Sequence, residues 1–296
     1  RGINFMISKK LIAVCLLSTA LLVGCGSKEP STSNNSSSSS TEQSEKFTGT
    51  KKYETLYDET GAKGDVIVTE VEFKDGEAVK VSLDVRQEDG TMKKEEAKKG
   101  NYVMKEGEAK NWGEQIELLE AFLNENKVDV SKVKLTNDAG NTDAVSGVSI
   151  KVGAYVNAVK EVVDAVKEGK ELEEGFTGAK IAETPYDSTG EKKDMVVTKV
   201  VFNHGKPVGV NIDVKQEDGS MKKKASEEGK YVMKEGEAKH WHEQMELLEK
   251  FMVENNFDLS KIKLTNDAGN TDAVSGVSIK VGTYVKAVQD VLDSVK

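Results

Sequence analysis

A run of 19 residues, Leu135 to Gly153, reappears letter for letter as Leu264 to Gly282, at an offset of 129 with no gap. Any fold for this chain must therefore build the same segment twice. The offset also relates Phe47-Thr48-Gly49 to Phe176-Thr177-Gly178, Tyr57-Asp58 to Tyr186-Asp187, Tyr102–Lys110 to Tyr231–Lys239, and Trp112 to Trp241. A period this long lies well outside the roughly 20–50 residues of stacked solenoid units. It predicts two globular domains, 47–169 and 176–296, joined by a charged connector at 170–175. Each is long enough to bury one modest core. The shared run, LTNDAGNTDAVSGVSIKVG, is dominated by small, amide and hydroxyl residues and offers little to pack. Other positions drift, Asn111, Gly113 and Ala154 becoming His240, His242 and Thr283. A fixed polar loop in a drifting frame points to chemistry in the loop.

The surrounding pattern reads as α+β. Asp65–Lys74 and Glu77–Arg86 alternate apolar and polar residues around Asp75-Gly76, a hairpin signature, and the second copy keeps it around Asn203-His204-Gly205. Tyr102–Met104 and Val130–Leu135 are expected as short further strands. A helix capped near Asn111 should place Trp112, Ile116, Leu119 and Leu123 on one face, and a later helix Tyr155, Val159, Val162 and Val166, with Gly169 as its stop. Each copy is thus expected as an antiparallel sheet with helices packed on one side.

The first 24 residues read as a targeting segment. Lys9-Lys10 precede an apolar run, Leu11 to Gly24, that is too short to span a bilayer as a helix. It ends in Leu22-Val23-Gly24-Cys25, which resembles the lipobox that directs lipidation of bacterial lipoproteins at its cysteine. The resemblance implies cleavage before Cys25 and a diacylglyceryl anchor, whose two chains suffice for stable membrane attachment. Residues 25–46 then form a Ser-rich tether. The other cysteine, Cys15, lies in the segment expected to be removed, so no thiol remains for disulfides, thiolate metal sites or nucleophilic catalysis. Removal also takes away Arg1, Lys9 and Lys10, moving the formal charge from −9 to about −12. So acidic a body is not expected to bind nucleic acid or adhere to anionic lipid.

Within the loop, Ser146 and Ser149 each stand shortly before the later helix, where a hydroxyl commonly acts as an N-cap. Helix N-termini also favour phosphate. Asp143–Ser149 resembles the Asp-x-x-(Ser/Thr)-Gly-Ala-(Thr/Ser) signature of the FMN-binding domain family of sodium-pumping quinone reductases. The resemblance implies FMN joined by a phosphoester to Ser149 and Ser278, installed from FAD by a flavin transferase. It assigns Asp143 and Asp272, Ser146 and Ser275, and Gly147 and Gly276 to the remaining motif positions. Val148 and Val277 stand where alanine is usual, and serine rather than threonine is the acceptor. Thr136, Asn137, Thr142 and their counterparts Thr265, Asn266 and Thr271, with Asp138 and Asn141, are candidates to hydrogen-bond the flavin. Met104 and Met233, with Tyr102, Trp112, Tyr231 and Trp241, are candidates for an apolar or stacking wall.

Lipobox, tether and two such domains together resemble the flavin-bearing electron-transfer lipoproteins of Gram-positive bacteria. That likeness implies a non-enzymatic carrier on the outer face of the membrane, taking electrons from a membrane NADH dehydrogenase or quinol and passing them to ferric iron or another extracellular acceptor. It also raises a peptide pheromone cut from Leu16–Gly24. The competing reading is a non-redox surface lipoprotein that binds a wall or protein partner. Other chemistries find less support. His240 and His242 point apart on a helix, and the first copy contains no histidine to complete a Ser–His pair. Asp138–Asp143 lacks the spacing and terminal Glu of an EF-hand.

Overall fold

The computed structural model describes residues 46–104, 110–187, 189–233 and 239–295. The expected targeting segment, Cys25 and nearly all of the tether lie outside the described residues. The chain is α+β, with two three-stranded antiparallel sheets of order β1-β2-β3 and β4-β5-β6.

In the first copy β1 is Gly49–Leu56, β2 Val66–Lys74 and β3 Glu77–Arg86. Helices α1 (Lys93–Lys99), α2 (Trp112–Glu125) and α3 (Gly153–Glu168) follow. The second copy repeats the order with β4 (Gly178–Pro185), β5 (Met195–Asn203), β6 (Lys206–Lys215), α4 (Lys222–Glu227), α5 (Trp241–Glu254) and α6 (Gly282–Asp293). The β2–β3 turn places Asp75 (φ 51) and Gly76 (φ 79) in the left-handed region, which gives the twist a two-residue hairpin needs.

Helix α2 begins as the sequence predicts. The Glu114 amide donates to Asn111 Oδ1 (2.9 Å) and Glu114 Oε2 accepts from the Asn111 amide (2.7 Å), a reciprocal capping box. Helix α3 ends at Gly169 (φ 62), whose N–H returns to the last turn. α2 packs on β3 and α3 on β2, and Phe73, Leu83, Ile116, Leu119 and Leu123 fill the space between, each at most 1% exposed. Complete burial of each such aliphatic side chain contributes about 1.5–3 kcal/mol.

Two expected strands are absent. Tyr102–Met104 runs without strand pairing. Val130–Lys132 forms a 3-10 turn, because Asp129 Oδ1 accepts from both the Ser131 amide (3.1 Å) and the Ser131 hydroxyl (2.6 Å) and winds the chain instead of extending it. Leu135 then makes only an isolated bridge to Thr142.

The described residues form one compact unit, in which the two copies meet along a seam. Leu56 and Val66 bury themselves with Val201 in a small third core, flanked by Ala179 and Val208. Arg86 ties Glu54 (2.5 Å) to the Thr177 carbonyl (3.2 Å), and Lys199 crosses to Glu88 (2.9 Å). At Gly209 a Cβ would lie 2.2 Å from the Gly61 carbonyl oxygen, so the backbones touch where only glycine fits. His204, at the β5–β6 turn, stacks on Tyr53 (5.1 Å between centroids, 15° between planes). Its Nε2 lies 2.8 Å from the Glu54 carbonyl, which can only accept, so that nitrogen carries the proton.

Candidate functional site

The repeated segment folds into two connected halves. Leu135–Thr142 is a small closed turn: the Thr136 amide and hydroxyl both donate to the Asn141 carbonyl (2.8 and 3.3 Å), and Asn137 Oδ1 accepts from the Asn141 amide (3.2 Å). Thr142 is buried, its hydroxyl donating to the Lys134 carbonyl (2.7 Å) and accepting from the Ala144 amide (3.1 Å). Thr142 therefore organises the loop rather than presenting a group to a ligand. Thr271 does the same with Lys263 (2.8 Å) and Ala273 (3.1 Å).

The tip of this turn serves as the helix cap. The Gly140 carbonyl accepts from the amides of Val152 (2.7 Å) and Gly153 (3.1 Å) at the start of α3. A Cβ on Gly140 (φ 88) would come within 3.0 Å of the Gly153 nitrogen, so glycine at both places permits the approach. Val152 occupies the N-cap position, with no capping side chain. Neither Ser146 nor Ser149 is the cap, and the bland explanation for their hydroxyls falls with that observation.

The second half, Asp143–Ser149, crosses toward α2. Asp143, Ser146, Gly147 and Ser149 are exposed, as are Asp272, Ser275, Gly276 and Ser278. Thr136, Asn137, Thr265 and Asn266 are exposed as well. Ser149 is held from both sides. Asn141 Nδ2 donates to its carbonyl (3.0 Å), while Gln115 Oε1 accepts from its amide (2.7 Å), its hydroxyl (3.2 Å) and the Ile150 amide (3.1 Å). Gln115 is 1% exposed. Its Nε2 donates to the Lys110 carbonyl (3.0 Å) and approaches Met104 Sδ (3.6 Å), which fixes the orientation of the amide. The second copy reproduces the frame almost to the tenth of an ångström. Gln244 Oε1 accepts from Ser278 N (2.7 Å), Ser278 Oγ (3.3 Å) and Ile279 N (3.1 Å), with Nε2 on Lys239 O (3.1 Å) and near Met233 Sδ (3.5 Å).

The two glutamines are the residues that sequence reasoning missed. Their signal was present: Gln115 falls at i+3 from Trp112 and i−4 from Leu119, a polar residue inside an apolar stripe.

Gly147 (φ 80) adopts a conformation that side chains resist, and a Cβ there would meet Lys110 Cε at 3.2 Å and Leu118 Cδ1 at 3.3 Å. Gly276 (φ 83) is held in the same way beside Lys239 Cε (3.1 Å) and Leu247 Cδ1 (3.1 Å). A lysine stem thus lies against each loop.

The aromatic candidates are less available than their sequence positions imply. Trp112 and Trp241 are 3% and 2% exposed and belong to the core. Trp112 packs against Tyr155 (6.3 Å), and the Lys93 ammonium covers the faces of Tyr102 (4.3 Å) and Trp112 (4.6 Å). In the second copy Lys222 covers Tyr231 (4.3 Å) and Trp241 (4.7 Å), and burial among these rings pushes its pKa down. Met104 and Met233 are half-buried and lie against the glutamines that hold the serines. His204 is engaged at the seam. His240 and His242 do not point apart as expected: His240 is the extended N-cap residue of α5 rather than part of the helix, and the two rings stack (5.7 Å between centroids, 8° between planes), with His242 Nδ1 2.9 Å from Ser226 Oγ. Among the described residues no cluster of three or more His, Cys, Asp or Glu is arranged to hold a metal ion. No described helix is long and apolar enough to cross a membrane.

No family model matches the chain, and no curated protein matches it. Among solved structures it is similar to a Clostridium thermocellum protein determined by solution NMR in a structural genomics programme. That protein is 30% identical over 44% of this chain and 98% of its own, with a TM-score of 0.30.

Proposed function

We propose that the chain is an electron carrier bearing two FMN groups, each esterified through its phosphate to a serine, Ser149 in the first copy and Ser278 in the second. The observation that supports this best is the duplicated frame. Two exposed serines, 129 residues apart, are gripped by the same set of hydrogen bonds from a buried glutamine. A polar loop with no further task has no reason to be preserved with this geometry while the seam residues drift.

The residues present fit a phosphoester. Gly147 and Gly276 leave open a space that a side chain would crowd, and Lys110 and Lys239 pass beside it with a cation that complements a phosphodiester anion. Thr136 and Asn137, with Thr265 and Asn266, are exposed on the turn that precedes the serine loop and would bond polar parts of the cofactor; Met104 and Met233 would give apolar contact. Bound FMN supplies the redox chemistry, and the protein supplies attachment and electrostatics. A covalent link suits a carrier outside the membrane, where a dissociable cofactor is lost to dilution. In this reading a flavin transferase installs FMN from FAD, and Cys25 carries the lipid anchor. The electron donor is a membrane NADH dehydrogenase or quinol, and the acceptor ferric iron or another extracellular oxidant.

Intact mass of the chain expressed with an active flavin transferase tests the reading. Each attached FMN adds about 440 Da. Ser149→Ala and Ser278→Ala are each expected to remove one increment, the double variant both, and Ser146→Ala neither. A colourless wild-type protein of unmodified mass would overturn it.

A further inference from the structure

We propose that His204 Nδ1 and the Glu173 carboxylate form a binding site for a borderline divalent metal ion, zinc being the type, at the seam between the two copies. The site stands apart from the serine loops and does not depend on the flavin reading. The His204 side chain is 5% exposed, and its Nδ1 has no hydrogen-bond partner. Because Nε2 carries the proton and gives it to the Glu54 carbonyl (2.8 Å), Nδ1 presents a bare lone pair. That lone pair meets the Glu173 carboxylate, whose Oε2 lies 3.5 Å away. Two acceptors at this distance repel unless a proton or a metal ion joins them, and the spacing selects the metal. It is longer than the roughly 2.7–3.2 Å of an N–H···O bond. Donors bound at about 2.0–2.1 Å to a tetrahedral ion stand about 3.4 Å apart. The donation of the other ring N–H to a backbone carbonyl is also how metal-bound imidazoles are oriented.

Both donors are placed by the backbone. The His204 amide donates to Thr177 Oγ1 (3.0 Å) and the Gly205 amide to the Phe176 carbonyl (2.8 Å). At Gly175 (φ 113) a Cβ would come within 2.7 Å of the His204 carbonyl carbon, so connector and hairpin are pressed together. The stack on Tyr53 holds the ring plane. The pair opens onto a cleft of about 420 Å³, where Glu54, Glu171, Glu173 and Glu174 outnumber Lys51 and Lys52, four carboxylates to two ammonium groups, which favours a cation. Two donors are preset, fewer than a three-residue cluster, so water or the exposed Glu171 and Glu174 carboxylates complete the shell. An imidazole ligand selects zinc-type ions over magnesium or calcium. The first copy has no such pair, because Asp75 stands in place of His204 and Ser44 in place of Glu173. A bound ion therefore pins the connector that leaves the first copy to the hairpin of the second.

The test uses the full chain, stripped of metal with a chelator, and reads both the unfolding midpoint and zinc binding by calorimetry. Zinc at about a hundredfold above its dissociation constant is expected to raise the midpoint by several degrees, and magnesium to leave it unchanged. His204→Asn should abolish the zinc shift. Glu173→Gln, a change at an exposed side chain that spares the fold, should weaken zinc binding at least about tenfold. Lys206→Ala frees Glu173 of its competing ammonium (3.4 Å) and should tighten binding about two- to fivefold, an effect that a merely structural histidine would not show. His240 and His242 are the other two histidines of the chain. Replacing them with their first-copy counterparts, His240→Asn together with His242→Gly, should leave the shift intact. A wild-type midpoint indifferent to zinc would refute the site. So would a shift that survives His204→Asn, an affinity untouched by Glu173→Gln, or a shift that vanishes with His240 and His242.

Discussion

The two copies are nearly superposable in their hydrogen bonds at the serine loop and unlike at the seam. Around Ser149 and Ser278 the four glutamine contacts within hydrogen-bond distance of nitrogen or oxygen agree to 0.1 Å. At the seam equivalent positions meet different surroundings, and some carry different residues: Asp75 is exposed at its hairpin, whereas its counterpart His204 is buried against Tyr53. Lys80 stands where the second copy has Gly209, and Gly190, the counterpart of Gly61, has open space around it. A tandem pair cannot use one surface symmetrically when one copy must receive the other. The seam positions had to diverge, and the loop did not.

The sharpest way to break this asymmetry is Gly209→Ala. Its Cβ would meet the carbonyl oxygen, carbonyl carbon and Cα of Gly61, so the seam must open, at a cost of about 3 kcal/mol in thermal or denaturant unfolding. Lys80→Ala, at the equivalent place, should change stability by less than about 0.5 kcal/mol. Equal effects would show that the copies do not depend on the seam.

Lys223→Met probes the second core alone. It leaves Glu249 buried without its ammonium partner, now at 2.6 Å, and is expected to cost about 3 kcal/mol near neutral pH. Burial, the leading cause, already raises the Glu249 pKa, with Lys223 opposing it. The neutral form is thus the one that the fold favours, and its contribution is lost as pH rises through the folded value. Unfolding midpoints measured against pH should therefore show the variant recovering stability in acid, toward and below the ordinary carboxylate range. A pH-independent loss would mean that packing, not charge, is the defect.

A smaller effect is expected for His204→Asn. Asparagine suits the left-handed turn position better (φ 49) but forfeits the ring stack and the contact with the Glu54 carbonyl, a net loss of about 1 kcal/mol. Asp75→Asn, with no seam contact to lose, should be neutral within about 0.5 kcal/mol. The smallest difference concerns the proposed cofactors themselves. With the same loop and glutamine frame, the two flavins should titrate within tens of millivolts of each other, where about 30 mV corresponds to 1.4 kcal/mol for two electrons. Redox titration of the Ser149→Ala and Ser278→Ala chains checks this, and a gap well above roughly 100 mV would give the seam a voice in the site.

Local signals in the sequence match the structure where the chain decides its own conformation. Asp75-Gly76 selects a hairpin turn by φ, Asn111 and Glu114 cap each other across three residues, and Gly169 ends α3 because glycine adopts φ 62 without strain. Short apolar runs do not decide their own conformation. Val130–Leu135 carries strand-like residues, but Asp129 winds its start, and Tyr102–Met104 finds no strand to pair with. Strand pairing needs a partner, and sequence spacing does not supply one.

The sequence by itself determined the duplication, the α+β pattern and which loop to look at, because periodicity, turn chemistry and identity are local properties of the chain. Only the tertiary structure decided what holds that loop. Gln115 lies 34 residues from Ser149, on a different element, and its one oxygen links them because α2 packs where Asp143–Ser149 passes. Likewise, the Gly140 carbonyl takes the capping role that Ser146 or Ser149 could have filled by position. The difference is one of distance along the chain: a contact made across the fold leaves no spacing rule in the sequence, only a polar residue standing unexplained on an apolar face.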